Sequence, residues 1–365
     1  MKVLELTCEP ILHGGQEAFI FNCLENIVDK DVSIDVLTLY YCKNDHYQEI
    51  AQYHGSKIYE LNIDFKPGKS RRLIKRPLRR FLEKNKYNIA HIHSGSISAL
   101  AYSAEIARKA GIEHVIVHSH STGVNNIKHK LIQSYFSYKF KRYVTTYCAC
   151  SVEAGLMKFP KSVSDKIVIL KNGVDLERFK YDSENREKIR RRLSIPQDAY
   201  LVGQIGRFTF EKNQQYTISI AKKIKQKEEN IYFLFIGDGE LREQAKELAR
   251  NNNYIIFIDS QDDVWKYYSA FDLLVLPSIY EGIPLVSIEA QSNGLPILAS
   301  NGVSKEIEIN DNVVRVDLRN KEKWVEIINN HKLLRMTSVE RLIMSGWDIK
   351  GVADKIIGIY YNEVE

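Results

Sequence analysis

Short runs dominated by apolar residues alternate with longer stretches of helical period along the whole chain. The runs VLEL, SIDVLTL, KIYEL, NIAHIH, HVIVHSH and YVTTYCAC occupy the first 150 residues, and KIVIL, YLVGQIG, IYFLFIG, NYIIFID, LLVLPS and PILAS follow. Strand-like runs separated by helix-length segments are the pattern of an α/β protein with parallel sheets. Between Phe179 and Gln197 the chain turns polar and charged (KYDSENREKIRRRLSIPQ), and a fresh strand, YLVGQIG, opens after it. We read this stretch as an inter-domain connector, giving domains 1–180 and 181–347. The last segment, DIKGVADKIIGIYYNE, has the period of an amphipathic helix.

The chain has 365 residues, room for two domains that each bury a core. With 44% hydrophobic and 27% charged residues and a mean hydropathy of -0.30, it reads as globular rather than disordered or fibrous. No stretch reaches the roughly 20 apolar residues of a membrane-spanning helix. Glu5 lies inside the first strand pattern, where a secretory apolar region would not carry it, so the expected location is the cytosol. The five cysteines (Cys8, Cys23, Cys42, Cys148, Cys150) contain no CxxC, and we expect neither a disulfide framework nor a zinc site from them.

Charge is unevenly distributed. Residues 1–180 carry 27 Lys and Arg against 18 Asp and Glu, while the remainder carries 25 against 28. From Lys66 to Lys86 a helical pattern sets Leu73, Ile74, Leu78, Phe81 and Leu82 on one face and Arg71, Arg72, Lys75, Arg76, Arg79 and Arg80 on the other. At 127–143, IKHKLIQSYFSYKFKRY interleaves Lys128, Lys130, Lys139, Lys141 and Arg142 with Tyr135, Phe136, Tyr138 and Phe140. Either cluster alone reads as a solvated helix face. Two in one half point to an anionic partner, a lipid leaflet or a lipid diphosphate. Nucleic acid is the rival, and no recognition motif supports it.

Doubly wound sheets bind ligands at the carboxyl ends of their strands, so the residues just after strands matter most. His13, Gly14 and Gly15 follow the first strand and precede a helical run, where paired glycines let backbone approach a phosphate. The spelling is neither GxGxxG nor Walker A, which removes the main support for NAD and P-loop readings. His118 and His120 lie on one side of a strand near its end, and His91 and His93 repeat the arrangement one strand earlier. Arg207 and Lys212 flank a helix start after YLVGQIG, as a diphosphate clamp would. In LLVLPSIYEGIPLVSIEAQSNGLPILAS a strand ends at Pro277, a turn carries Glu281 and Gly282, and Pro284 suits the first helical turn, with Glu289 about two turns from Glu281.

The segment E-GIPLVSI-E, Glu281 to Glu289, resembles the E-x7-E motif of the retaining glycosyltransferases of family 4, which have the GT-B fold. HGGQE at 13–17, HIHSG at 91–95, HSHS at 118–121, NGVDLERF at 172–179, GRFTFEKN at 206–213, IGDGEL at 236–241 and LPSIYEG at 276–282 agree in order and spacing. The resemblance covers nearly the whole chain, and bacterial capsular and exopolysaccharide transferases are the most similar in look. It implies two Rossmann-like, doubly wound α/β domains facing across a cleft, with the helix at 348–365 packed back on the first. It implies that Arg207 and Lys212 bind the donor diphosphate, that Glu289 holds the ribose and that Glu281 lies against the donor sugar. Backbone around Gly282, Ile283, Pro284 and Leu285 is implied to cradle sugar and phosphate. Gly237 and Asp238 border the nucleotide, and Gly14 and Gly15 close over the donor from the first domain. The family histidine near the sugar's primary hydroxyl maps to His118, with His120 as runner-up. Members commonly have glycine where this chain has Asp259, which leaves the choice between uracil and guanine open.

The implied reaction transfers a hexose or N-acetylhexosamine from a nucleotide-diphosphate sugar, a UDP-sugar first, with retention. The acceptor is a polyprenyl-diphosphate-linked saccharide of bacterial surface polysaccharide, reached peripherally at the inner face of the cell membrane. Fixed positive potential from Arg207, Lys212 and a helix start makes a metal unnecessary, and no cofactor is expected. Asp29 and Asp31, the nearby DxD spelling, read as a turn. If the protein activates the acceptor, His118 comes first and Glu281 second. Two alternatives remain at this stage: a nucleotide-sugar 2-epimerase, and a non-catalytic sugar-nucleotide or lipid-binding subunit.

Overall fold

The computed structural model describes residues 1–363 apart from 13, 30, 65–70, 121–126, 225–229, 331–332 and 337, and backbone alone at 71–72 and 127–130. Two compact units emerge: Met1–Gly173 with Gly346–Glu365, and Val174–Ser345. The expected division at 180/181 falls earlier because the Ser292 hydroxyl donates to the Leu176 carbonyl at 2.7 Å and the Asn293 amide to the Phe179 carbonyl at 2.8 Å. These bonds tie 174–180 to the second unit. The chain re-enters the first unit at Gly346 rather than 348, where buried Trp347 takes the Lys171 ammonium over its ring at 4.5 Å.

Among the described residues of the first unit, seven strands form one sheet: β1 Lys2–Thr7, β2 Ser33–Thr38, β3 Ile58–Glu60, β4 Ile89–Ser94, β5 His114–Ser119, β6 Thr146–Ala149 and β7 Ile167–Ile169. All pairings are parallel, in the order β3-β2-β1-β4-β5-β6-β7. The second unit repeats the plan with β8 Tyr200–Ile205, β9 Ile231–Ile236, β10 Ile255–Ile258, β11 Leu273–Leu276, β12 Ile297–Ser300 and β13 Val313–Val316, ordered β10-β9-β8-β11-β12-β13. Each sheet is of the Rossmann type, with its topological switch between β1 and β4 or between β8 and β11. The fold class is therefore α/β with two parallel-sheet domains.

In the first sheet, alternation fixes which residues share a face. Glu5 is in register with His91, Thr7 with His93, His93 with His118, and His118 with Cys148. Register partners in a parallel sheet point the same way. This face is covered by the helices Gly15–Asn26 and Ile349–Tyr360, which contribute Phe19, Phe21, Val352, Ile356 and Tyr360 to the core. The opposite face packs Leu78, Leu100, Phe136 and Phe140 of the helices Lys75–Lys84, Ile97–Lys109 and Ile127–Tyr143. Gly173 permits the C-terminal helix to begin where it does: a Cβ there would lie 2.8 Å from the Ile349 Cα. Burying Val352 and Ile356 contributes about 1.5–3 kcal/mol each to holding that helix down.

Three details differ from the sequence reading. The supposed connector contains a helix, Ser183–Arg192, capped by the Asp182 carboxylate, which accepts from the Glu184 and Asn185 amides. Its Arg186 and Arg190 pair with Asp272 at 2.8 and 2.6 Å, so this polar stretch packs instead of linking. A thirteenth strand, Val313–Val316, closes one edge of the second sheet, and its β-branched run was readable in NVVRV. Leu73, placed on the apolar face, is 70% exposed, because Arg71–Ile74 is a 3-10 turn whose side chains do not keep the α-helical angle. In that run, residues 66 and 69 and the side chains of Arg71 and Arg72 lie outside the described residues.

Candidate active site

In the second unit, the ends of β8 and β9 turn against each other through Gly206 (φ 143°) and Gly237 (φ 141°). A Cβ on Gly237 would sit 2.3 Å from the Gly206 carbonyl oxygen, so only glycine fits. Arg207 leaves this turn with its carbonyl held by the Gln214 amide at 3.0 Å. Its guanidinium is 75% exposed, with Nε 3.7 Å from a Glu240 carboxylate oxygen. Asp238 accepts from the Ser260 amide at 3.3 Å, and its carbonyl accepts from the Phe208 amide at 2.7 Å.

Lys212 reaches forward 69 residues and bonds through its ammonium to Glu281 Oε1. The other carboxylate oxygen of Glu281 accepts from the Ser278 hydroxyl at 2.7 Å. Its backbone is pinned between the Gly302 carbonyl and the Ser304 amide, at 2.9 and 3.0 Å. Glu281 is thus held at both oxygens and along its main chain before any ligand arrives. Ser278 was not among the sequence candidates, although it lies in the quoted LPS stretch.

Pro284 caps the helix Leu285–Ser292 from just outside it, with φ −69° and ψ 126°, one position earlier than a first-turn proline. Gly282 is exposed and Ile283 and Leu285 are half-buried, so backbone at this helix start is accessible. Glu289 lies in the second turn and accepts from the hydroxyl of Tyr268, which is wholly buried. Burial pushes the Glu289 carboxyl up to about 7, against the lowering effect of that hydrogen bond. Sequence reasoning missed Tyr268, because nothing local links residue 268 to residue 289. Asp259 bonds to Arg242, so the residue departing from the family glycine is anchored to the helix Arg242–Ala249.

The site residues of the first unit fall out differently. His13 lies outside the described residues. Gly14 caps the helix Gly15–Asn26 in an extended conformation, and Glu17 folds its own carboxylate back onto the Gly14 and Glu17 amides. Burial nevertheless raises the Glu17 carboxyl. A Cβ on Gly14 would meet that carboxylate at 2.3 Å, which gives the glycine a local reason. His118 is fully buried, with Phe19 edge-on at 4.7 Å between ring centroids. Neither of its ring nitrogens has a hydrogen-bond partner among the described residues. His120 is half-buried, and its Nε2 lies 2.8 Å from His93 Nδ1. Of the two candidates for a sugar contact, His120 is the less buried residue, although its Nδ1, like both ring nitrogens of His118, is buried without a partner among the described residues. The Asp29 side chain accepts from the Asp31 amide at 2.8 Å, the turn expected of that DxD spelling.

The family model "Glycosyltransferase Family 4" matches residues 13–178, and the model "Glycosyl transferases group 1" matches residues 185–336. The chain belongs to the family 4 glycosyltransferases. This glycosyltransferase is 28% identical over 308 residues to EpsF of Bacillus subtilis (strain 168), described as a glycosyltransferase, covering 81% of this chain and 78% of EpsF. It is likewise 28% identical over 308 residues to the UDP-Gal:alpha-D-GlcNAc-diphosphoundecaprenol alpha-1,3-galactosyltransferase of Escherichia coli, covering 79% of this chain and 78% of that enzyme. In fold it is similar to HepE of Anabaena in complex with UDP, with a TM-score of 0.76 at 16% identity, covering 99% of this chain and 100% of HepE. HepE in complex with UDP-glucose matches with a TM-score of 0.75 at 15% identity, covering 99% and 100%. The fold of this glycosyltransferase is thus GT-B, and the sequence motifs quoted above lie within the matched spans, apart from Phe179 at the end of NGVDLERF.

Proposed function

We propose that this glycosyltransferase moves a hexosyl or N-acetylhexosaminyl group from a UDP-sugar, with retention, to a polyprenyl-diphosphate-linked saccharide in bacterial surface polysaccharide synthesis. The observation that carries the proposal is the Lys212–Glu281–Ser278 constellation at the β8 and β11 ends, beside an accessible helix start and the exposed Arg207 guanidinium. Arg207, Lys212 and the amides around Gly282 and Ile283 stabilise the leaving diphosphate. The ionised Glu289 accepts from the ribose hydroxyls, and Glu281 orients the sugar. The C1–phosphate oxygen bond breaks, the acceptor oxygen bonds C1 from the same face, and the acceptor's proton passes to the departing phosphate. Protein cations neutralise the diphosphate in this scheme, and His120 takes the contact with the sugar's primary hydroxyl. By the family resemblance, the Gly14–Gly15 backbone also serves the donor.

The UDP complexes of HepE and the donor named for the Escherichia coli relative support uridine, and that relative's named acceptor supports a lipid diphosphate. The helix Ile127–Tyr143 exposes Leu131, Ile132, Tyr135 and Tyr138 beside Lys141 and Arg142, a surface suited to an anionic leaflet. Among the described residues, no helix is long and apolar enough to cross a membrane.

Calorimetric titration with UDP, GDP, ADP and their sugars, with and without EDTA, tests the donor assignment. Selective, EDTA-insensitive binding of a uridine nucleotide is expected. A folded protein that binds no nucleotide overturns the proposal and favours the non-catalytic subunit. Epimerised nucleotide sugar formed without acceptor overturns the transfer step in favour of the 2-epimerase.

A further inference from the structure

Four imidazoles meet on one face of the first sheet, and the donor scheme uses only the outermost, His120. His91 and His93 alternate along β4, and His118 sits opposite His93 in register on β5. Their ring centroids are 4.1 Å apart for His91 and His93, 5.3 Å for His93 and His118, and 5.4 Å for His91 and His118. All three are buried. One ligand nitrogen from each ring lies within 4.8 Å of the other two.

Glu5 organises two of the rings from behind. Its Oε2 accepts from His93 Nε2 at 2.5 Å, its Oε1 lies 3.3 Å from His91 Nδ1, and Tyr360 donates its hydroxyl to Oε1. With Glu5 accepting from His93 and from Tyr360, and the Tyr360 oxygen left to accept from His91 Nδ1 at 3.1 Å, His91 carries its proton on Nδ1 and His93 on Nε2. The lone pairs are then left on His91 Nε2 and His93 Nδ1. Among the described residues, His91 Nε2 has no hydrogen-bond partner, nor has either nitrogen of His118 or Nδ1 of His120. An unpartnered buried polar atom costs about 1–3 kcal/mol, and this cluster carries four. A carboxylate that fixes two imidazoles by their rear N–H groups is the usual outer shell of a histidine-bound metal.

We propose that His91, His93 and His118 bind one divalent transition-metal ion of the zinc class, with Glu5 as the carboxylate that orients two of them. Three neutral nitrogen donors select zinc, cobalt, nickel or copper over magnesium or calcium. Tetrahedral zinc at about 2.0–2.1 Å from each nitrogen sets the nitrogens roughly 3.3 Å apart, so each ring moves inward by at most about 1 Å. His93 Nδ1 exchanges its bond to His120 for the metal. The ion would clamp β4 and β5, and through Glu5 and Tyr360 the C-terminal helix Ile349–Tyr360. This role is separate from diphosphate binding.

The test is titration of the full-length, chelator-stripped protein with Co2+, read by visible absorption, followed by displacement with Zn2+. We expect d–d bands of tetrahedral intensity that saturate at one equivalent and vanish on adding zinc. The bands should be lost in both His91→Asn and His118→Asn, while Glu5→Gln should bind about 10–100-fold more weakly. Circular dichroism and a cooperative melt establish that each variant is folded. Absence of saturable bands in the folded wild-type protein overturns the proposal without recourse to any variant. So does a spectrum unchanged in both histidine variants.

Discussion

Tyr268→Phe isolates one hydrogen bond in the part of the site proposed to bind the ribose. The substitution keeps the ring that packs edge-on against Phe179 at 5.3 Å and removes only the hydroxyl that donates to Glu289. Burial places the Glu289 carboxyl at about 7, and the Tyr268 bond already opposes that rise. A hydrogen bond to a charged acceptor is worth about 1.5–3 kcal/mol, or roughly one to two pKa units. Without it the carboxyl should titrate about one to two units higher. In the proposed scheme ribose hydroxyls donate to the ionised carboxylate, so affinity should rise with pH up to the carboxyl pKa and level off above it. At pH 7 the ionised fraction falls from about a half to between about one-tenth and one-hundredth, so binding should weaken by roughly 5–50-fold. The deficit should shrink as pH rises. Calorimetry with UDP-glucose from pH 6 to 8.5 suits the purpose, since a diphosphate diester does not titrate there. Repeating it in two buffers of different ionisation enthalpy counts the protons released. A wild-type affinity independent of pH, or the same loss in Tyr268→Phe at every pH, refutes the reasoning.

Three further substitutions probe other parts of the molecule. Arg207→Ala should lower kcat by about 100–1,000-fold with little change in melting temperature, because the exposed guanidinium serves the departing charge and not the fold; an unchanged rate removes it from the site. Asp272→Ala strips the carboxylate from Arg190, whose side chain is fully buried, and from Arg186, and should destabilise the second unit by about 3 kcal/mol in urea unfolding. A change below measurement error would mean that the carbonyls around Arg190 suffice. Leu131→Ser combined with Tyr135→Ser should weaken sedimentation with anionic vesicles by about tenfold and leave neutral vesicles unaffected; equal binding by both proteins excludes this helix as the docking surface.

Much of the fold was legible in the sequence because buried parallel strands are near-continuous apolar runs, bounded by helical stretches, which a linear reading detects. β8 ends at Ile205, just before the glycine that closes YLVGQIG, and β11 ends just before Pro277. The edge strand β13 was overlooked because its run, VVRV, is short and carries an arginine. The connector was misread because charge marks solvated linkers and also marks helices that bury arginine against a distant acid, and Asp272 lies 80 residues beyond the Ser183–Arg192 helix end. Leu73 was misplaced because a periodicity does not announce where an α-helix gives way to a 3-10 turn.

In the candidate site, residue types and spacing, together with the family resemblance, single out Arg207, Lys212, Glu281 and Glu289 as candidates, since the chemistry of a diphosphate and a ribose restricts which side chains serve. Their partners were out of reach: Ser278 on Glu281, Tyr268 on Glu289 and Glu17 on the Gly14 amides. The histidines make the same point. Alternation along each strand is local, so HIH and HSH by themselves put His91 with His93 and His118 with His120 on common faces. Which strand lies beside which is decided by long-range pairing, and that placed β4 between β1 and β5, set Glu5 behind two imidazoles and closed Phe19 over His118. The sequence by itself determined the order of elements, the faces of each and the family. Tertiary structure alone decided which of those faces meet, and so which polar atoms are buried without a partner.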